Sequence, residues 1–357
     1  MKSQKTGSSA QSAATSGPVG ASTGLRVWDR SRSRPAKVLA LAAVLGLAAN
    51  LGACSAPSES TAGNASSKAF TVALVEPDLT TVPIIAALDT VRAAGYDVKI
   101  DELAEPELAI EGLAKGDYAI SAEATSPALI AIQQGAPIKI IADVIGNQWA
   151  LYGKPGIGTC DNLSGKPVGI FSEGAVATAM VRSWVEKECT SGEPDYLVIG
   201  SSDVRAQALL NGQIDATALE ISDVVTLEKT AGANFSPVVN FGEKLPAIHP
   251  QTVYANSGFL SNNKEAAQTF VTALIDEHKK INADPEYLVG LAEKHLGEEA
   301  SPTLSAIAAR YVEAGLFDAG ALTQENVQGT IDFFVDAGVI KGLDASKAAD
   351  LSFLGSR

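Results

Sequence analysis

"LAKGDYAISAEATSPALIAIQQG" (113–135) and "LLNGQIDATALEISDVVTLEKTAG" (209–232) read as one pattern written twice. In each, a helical run closes on a glycine, Gly116 or Gly212, and a short apolar strand follows. The strand ends in carboxylate and hydroxyl groups, and a second helical run begins, with Ser126 answering to Ser222. A further glycine closes that helix, Gly135 in the first copy and Gly232, one residue later, in the second. A strand apolar along its length and polar at its tip is a buried strand that delivers polar groups to one edge of a sheet.

Outward from these copies the same alternation continues. Strands are expected at 70–75, 96–103, 118–122 and 138–145, with helices at 82–95, 105–116 and 126–135 between them. A second series puts strands at 166–171, 195–200, 214–220 and 235–241, with helices at 175–188, 203–212 and 222–232. Alternating strands and helices predict a doubly wound α/β layer, and the duplication predicts two similar lobes. The repeat is too long for a solenoid. After Phe241 a strand is expected at 252–260, and then a mostly helical stretch to the C-terminus. Ser261 and Ser301–Pro302 are the cap signals there.

The first residues carry other information. Residues 1–37 hold seven basic side chains and one acid, Asp29, and the apolar run "VLALAAVLGLAANLGAC" (38–54) follows. A positive segment, an apolar segment too short to span a bilayer, and small residues before a cleavage point predict a secretory signal over residues 1–53. "LGAC" (Leu51–Cys54) resembles the lipobox of bacterial lipoproteins, which implies acylation at Cys54 and a membrane anchor. The Ser- and Ala-rich residues 54–67 read as a flexible tether.

The chain has 357 residues and a formal net charge of −14, and the leader carries seven of its 27 basic residues. The remainder is therefore still more acidic, which argues against nucleic acid or an anionic membrane surface as a partner. Cys160 and Cys189 flank one expected strand–helix unit, whose two ends return to the same edge. A disulfide between them is expected in an exported chain, with two buried thiols as the alternative.

The layout resembles the extracytoplasmic solute-binding proteins of ABC importers, in the nitrate, sulfonate and taurine group that also includes binders of thiamine-pyrimidine precursors. The carrying residues span 70–290: the paired units above, "DNLSGKPVGIFSEG" (161–174) and "SGFLSNNKEAAQTFVTAL" (257–274). A proline expected in the last run is replaced near Lys264–Glu265. The resemblance implies a clamp of the periplasmic-binding-protein type II kind. Lobe I would be 68–153 with 247–357, including a helical C-terminal extension, and lobe II 154–246, joined by a two-segment hinge. It implies a monomer outside the cell membrane, a small-molecule ligand, and a permease with a separate ATPase subunit, since no P-loop occurs here.

Ligands of open α/β sheets sit beyond the strand tips, where helix N-termini offer free N–H groups. The candidate ligand-binding residues are Glu76, Asp78, Thr80 and Thr81 after the first strand, and Glu123, Thr125 and Ser126 after the third. Ser172, Glu173, Gly174, Ala175 and Glu220 are their counterparts in the second series, and Trp149 is a candidate stacking wall. Ser126, Ser172 and Ser222 could instead be helix caps, and Trp149 could be core. The acids, with few arginines near them, favour an amine or heterocyclic N–H donor, though an anion held by helix N-termini stays open. The solute class therefore covers sulfonates, amines, carboxylates and nitrogen heterocycles.

Two rival readings remain. A lipoprotein that senses its ligand and signals through a membrane partner would have the same sequence. A serine hydrolase would use Ser172 in "GIFSEG", but Ile170 replaces the first glycine of the elbow motif. It would also need one of His249, His278 or His295, the last two on helices that read as solvated. Neither a metal-ligand spacing nor a cofactor motif is found, so no catalytic residue, metal or cofactor is expected.

Overall fold

The structure is a computed structural model that describes residues 68–231 and 235–355. The signal segment, Cys54 and the tether lie outside the described residues. Among the described residues no helix is long and apolar enough to cross a membrane.

The first series forms β1 (Ala69–Val75), α1 (Val82–Ala93), β2 (Asp97–Leu103), α2 (Pro106–Lys115), β3 (Ile120–Ala124), α3 (Thr125–Gln133) and β4 (Ile138–Ile145). The second forms β5 (Ala150–Gly153), β6 (Pro167–Ile170), α4 (Val176–Glu188), β7 (Asp195–Val198), α5 (Ser202–Leu210), β8 (Ala216–Leu219), α6 (Ile221–Ala231), β9 (Ser236–Asn240) and α7 (Phe241–Lys244). Then come β10 (Gln251–Asn256), α8 (Ser257–Asn262) and the long helices α9 (Lys264–Ala283), α10 (Pro285–His295), α11 (Pro302–Glu313) and α12 (Gln324–Asp336).

Two five-stranded sheets result, in the orders β2-β1-β3-β10-β4 and β7-β6-β8-β5-β9. In each, three parallel strands are followed by one antiparallel strand. That antiparallel strand, β10 or β5, is the one that has just crossed from the other sheet. This is the α/β architecture expected, and the internal duplication extends to strand order.

Both faces of the first sheet are covered. One buries Val72 and Leu74 against α1 and α9, where Leu88, Phe270 and Leu274 are fully enclosed. On the other, Ala73 and Val75 meet Ala109 of α2. A second core joins α3, α4 and α12 to Leu151 and Val168 of the second sheet. Gly116 and Gly212 end α2 and α5 in the left-handed conformation, φ 84° and 74°, so the repeated glycines have one backbone cause.

The chain passes between the sheets at 146–149 and again at 241–250. β5, which ends at Gly153, hydrogen-bonds in the second sheet, to β8 and β9. The crossings are laced together: Phe241 N–H donates to the Trp149 carbonyl at 2.9 Å, and Asn147 Nδ2 to the Phe241 carbonyl at 3.1 Å. A Cβ on Gly242 would lie 2.4 Å from the Asn147 carbonyl oxygen, so only glycine allows this approach.

Two local expectations are corrected. The strand expected at 252–260 stops at Asn256, whose side chain accepts from Phe259 N–H at 3.0 Å and starts α8. Ser261 caps no helix; it lies in α8 and donates to the Ser257 carbonyl at 2.9 Å. Ser301 does cap α11, accepting from Leu304 N–H at 3.1 Å. The structure joins Cys160 and Cys189 in a disulfide, with Cα atoms 5.1 Å apart.

Candidate functional site

The tips of β1, β3, β6 and β8 surround a cavity of about 1380 Å³ between the two sheets. Each tip supplies side chains for a traceable local reason.

At the β1 tip, Glu76 has φ 40°, the one positive value at a non-glycine residue among the described residues. Such a conformation costs roughly 1–2 kcal/mol and persists only where the surroundings impose it. Glu76 N–H is fixed to the Leu103 carbonyl at 3.0 Å. The chain then turns at Asp78. Its Oδ1 accepts from Thr80 N–H (2.9 Å), Thr80 Oγ1 (2.7 Å), Thr81 N–H (3.2 Å) and Thr81 Oγ1 (3.3 Å). Oδ2 takes none of these bonds. Thr80 and Thr81 are buried and lie off the cavity wall, so their part is to hold Asp78, which lies on it.

At the β3 tip, Glu123 lies on the wall opposite Thr252 in the strand register. Burial pushes its carboxyl up to about 8, and the charges of Asp78 and Glu76 push the same way. Hydrogen bonds from the Ala124 backbone and from Gln251 oppose this in part. Ser126 also reaches the wall and does not cap its helix; α3 has Ala124 at its N-cap and no side-chain cap. Thr125 does not reach it: buried, it donates to the His249 carbonyl at 2.8 Å and lies 3.1 Å from Thr252 Oγ1.

At the β6 tip, Ser172, Gly174 and Ala175 line the cavity, and α4 has Ala175 at its N-cap with no cap from Ser172. Glu173 points elsewhere, paired with Arg182 at 2.7 and 3.0 Å on the exposed surface. Ser126 Oγ donates to the Gly174 carbonyl at 3.4 Å, a long contact that spans the cavity from one sheet's helix to the other's loop.

At the β8 tip, Glu220 is pushed well above the usual carboxylate range by burial and by Asp78, Asp223 and Glu123, and Arg205 counteracts in part. Asp223 is raised as well, first by burial. Tyr311 of α11 closes this corner beneath Asp78 and Glu220 and hydrogen-bonds Ser222. Trp149, half-buried, both lines the cavity and packs on the second core, so the stacking and core readings describe two sides of one ring.

Sequence reasoning missed Arg205, Gln251 and Phe171. Arg205 is only 2% exposed, and its donors go to Thr217 Oγ1 (3.1 Å), the Ala218 carbonyl (3.1 Å) and the Gly200 carbonyl. Its Cζ lies 6.0 Å from the Trp149 ring centroid. Its local sequence gave little signal, since it follows Ser202, Asp203 and the exposed Val204 and precedes the buried Ala206, Ala208 and Leu209 of α5. Gln251 is 7% exposed on the wall, at the start of a strand too short to show its edges. Phe171 is 47% exposed beside Ser172, where an apolar residue reads as the strand's end.

The histidines do not meet Ser172. None lies on the cavity wall. His249 pairs with Asp143, Nδ1 to Oδ2 at 3.0 Å, in the second crossing; burial lowers its basicity, but the charge and hydrogen bond of Asp143 with the charge of Asp318 together outweigh this and leave it raised. His278 and His295 were expected on solvated faces. Instead His278 is 2% exposed, packs edge-on to Phe317 and is lowered by burial to about 3, while the His295 side chain is 10% exposed. Their helices are charged outside and apolar inside, and both histidines lie toward the inner side. Among the described residues no group of three or more His, Cys, Asp or Glu side chains is placed to hold a metal ion.

Comparison with known proteins bears on this geometry. The ligand-binding component of an ABC-type import system from Staphylococcus aureus, a structure with zinc bound, superposes with a TM-score of 0.64 at 14% identity, over 80% of this chain and 97% of that one. The periplasmic aliphatic sulphonate binding protein SsuA from Escherichia coli gives 0.63 at 16%, over 79% and 97%. The periplasmic nitrate-binding protein NrtA from Synechocystis gives 0.60 at 12%, over 78% and 84%. The fold is therefore that of periplasmic binding proteins. No match is found among the curated proteins. A family model described as NMT1/THI5 like matches residues 91–287, more than half of the sequence. The chain belongs to the NMT1/THI5-like family.

Proposed function

We propose that this chain is the solute-binding component of an ABC-type importer, a binding protein and not an enzyme. It closes on a small polar organic solute in the cavity and hands it to a membrane permease driven by a separate ATPase. The supporting neighbours are described as a ligand-binding component of an import system and as sulphonate- and nitrate-binding proteins. The observation that carries the reading is the cavity itself, walled by equivalent tips of two like sheets. A solute that touches both walls favours the closed arrangement over the open one, which is how such clamps work.

In this reading the sheets are the cores of two lobes and the laced crossings are the hinge. Glu76, Asp78, Glu123, Ser126, Trp149, Ser172, Gly174, Ala175 and Glu220, all on the wall, are the contact set. Thr80, Thr81 and Thr125 support it from behind. A lipid on Cys54 holds the monomeric protein at the outer face of the cell membrane, on the tether 54–67. Cys54→Ala, expressed in the host, should leave the membrane fraction; retention there would place the anchor elsewhere.

The test of the clamp is a thermal-shift screen of sulfonates, carboxylates, amines and pyrimidines. A solute at about 100 times its dissociation constant stabilises the folded protein by about 2.7 kcal/mol. Glu123→Ala and Glu220→Ala should each weaken the solute found by about ten- to a hundredfold in calorimetry. Parental affinity in both variants would return these carboxylates to structure alone.

A further inference from the structure

We propose that the cavity selects a compact organic cation with N–H donors, an ammonium or amidinium group on a small apolar body, over an anion of the same size. The inference rests on the clamp reading and adds the sign of the solute's charge.

Asp78, Glu123, Glu220 and Asp223 face the cavity from both sheets. One cationic side chain shares that wall, Arg205, and each of its three nitrogens donates to an acceptor of its own lobe: Thr217 Oγ1, Gly200 O and Ala218 O. Three of its five N–H donors, one on each nitrogen, are held by structure, which leaves it a weaker fork for an anion than a free guanidinium.

A second observation does not involve the acids. Gln251 is 7% exposed and lies on the cavity wall. Its amide bonds to Glu123, while its Oε1 has no partner. A buried acceptor without a donor is costly, and a solute N–H would satisfy it. A sulfonate or nitrate brings acceptors only. It would leave Gln251 Oε1 unpaired and set a further negative charge beside Asp78, whose own charge already pushes Glu123 and Glu220 upward. The N-termini of α3 and α4 attract anions, but these are partial charges and share the cavity with Asp78 and its neighbouring acids.

The carboxylates are spread around the wall and do not gather on one point, which fits a molecule better than a metal ion. The body of the solute has Trp149, Phe171 and Ile130 to lie on.

Binding of a cation here also displaces protons. Glu123 faces Asp78 and Glu76 of the β1 tip and Gln251 and Tyr254 of β10. Glu220 faces Asp78, Asp223, Glu123, Arg205 and Tyr311. In this company the Glu123 carboxyl holds its proton near neutral pH when the cavity is empty, Glu220 is pushed in the same direction, and a cation favours the ionised forms of both. Affinity for a cation therefore rises with pH up to about 8, where Glu123 ionises on its own.

Matched probes read the charge directly: benzylamine and benzamidine against phenylmethanesulfonate and benzoate, titrated by calorimetry into the purified protein at pH 6, 7 and 8. The expected result is cation binding at least about tenfold tighter than anion binding, strengthening with pH and releasing protons in buffers of different ionisation enthalpy. Glu220→Gln should weaken benzylamine by about tenfold and reduce the proton release; Asp223→Asn serves if that variant fails to fold by circular dichroism. Equal or tighter binding of phenylmethanesulfonate overturns the charge assignment and leaves the clamp standing. Silence from all four probes, with a hit of another class in the broad screen, likewise overturns the charge assignment alone. No hit in either experiment overturns both.

Discussion

On the wall built by the first sheet, Glu123 stands among other acids with an amide and a backbone N–H as its only relief. On the wall built by the second, Glu220 occupies the equivalent tip but has Arg205 beside it, locked to three acceptors around the second sheet. The two tips descend from one repeated pattern, yet the fold depends on the charge of the second wall and merely tolerates that of the first. A duplicated scaffold fixes where polar groups arrive. What surrounds each arrival decides whether the group stabilises the fold or is kept at a cost.

The largest expected effect tests the second wall. Arg205→Met leaves Thr217 Oγ1 and the Gly200 and Ala218 carbonyls without their donor, and should cost about 3–5 kcal/mol in urea unfolding. A loss below about 1 kcal/mol would mean that water replaces the guanidinium and that the two walls are alike.

The disulfide belongs to the second sheet's half only, bridging residues 29 apart in sequence. Cys160→Ser with Cys189→Ser should lower stability by about 2–4 kcal/mol. Mass spectrometry of non-reduced peptides from exported protein should find the 160–189 link, and two alkylatable thiols would remove it from the comparison.

Glu123→Gln should act in the opposite direction, raising stability by about 1–3 kcal/mol at pH 8. The sign follows from the folded carboxyl being raised from 4.5 to about 8. Between these values the native state binds more protons than the unfolded chain, so stability falls as pH rises through the window. Glu220 adds to the same slope, and so does His249, whose contribution is lost as pH rises through its raised folded value. Thermal unfolding of the unliganded parent should therefore shift to lower temperature from pH 5 to pH 8, less steeply in Glu123→Gln. An identical slope in both would show that Glu123 is solvated.

The smallest effect concerns the Ser126 hydroxyl, which reaches between the walls. The Ser126–Gly174 contact is long, so Ser126→Ala should change stability by less than about 0.5 kcal/mol. A larger loss would mean that this contact holds the empty cavity closed.

The sequence made the alternation legible because buried strands and capped helices each have a period, and the glycines at 116 and 212 mark one required backbone conformation. It made the tips legible because polar residues at the end of an apolar strand have few other uses. It could not separate residues that face the cavity from neighbours that brace them. Thr80 and Thr81 share a tip with Asp78 and differ only in the side on which their hydroxyls fall. Glu173 sits between two wall residues and turns out to Arg182. Arg205 and Gln251 come to the site from elements whose local pattern is ordinary, so only their tertiary burial reveals them. β5 was missed because four residues carry too little period to register.

The exchange of strands between the sheets has a consequence for how the chain is made. β3 and β4 each pair with β10 and not with each other. A chain emerging from its N-terminus therefore completes every strand of the second sheet before the first can close. Until residues 251–256 arrive, β3 and β4 present open edges of apolar strand, the kind that recruits other chains. Keeping the chain unfolded until its last strand is made removes this hazard, because all ten strands of the described residues then become available together. Expression ending at residue 245 should yield aggregate, and supplying the missing C-terminal piece in trans should recover soluble protein.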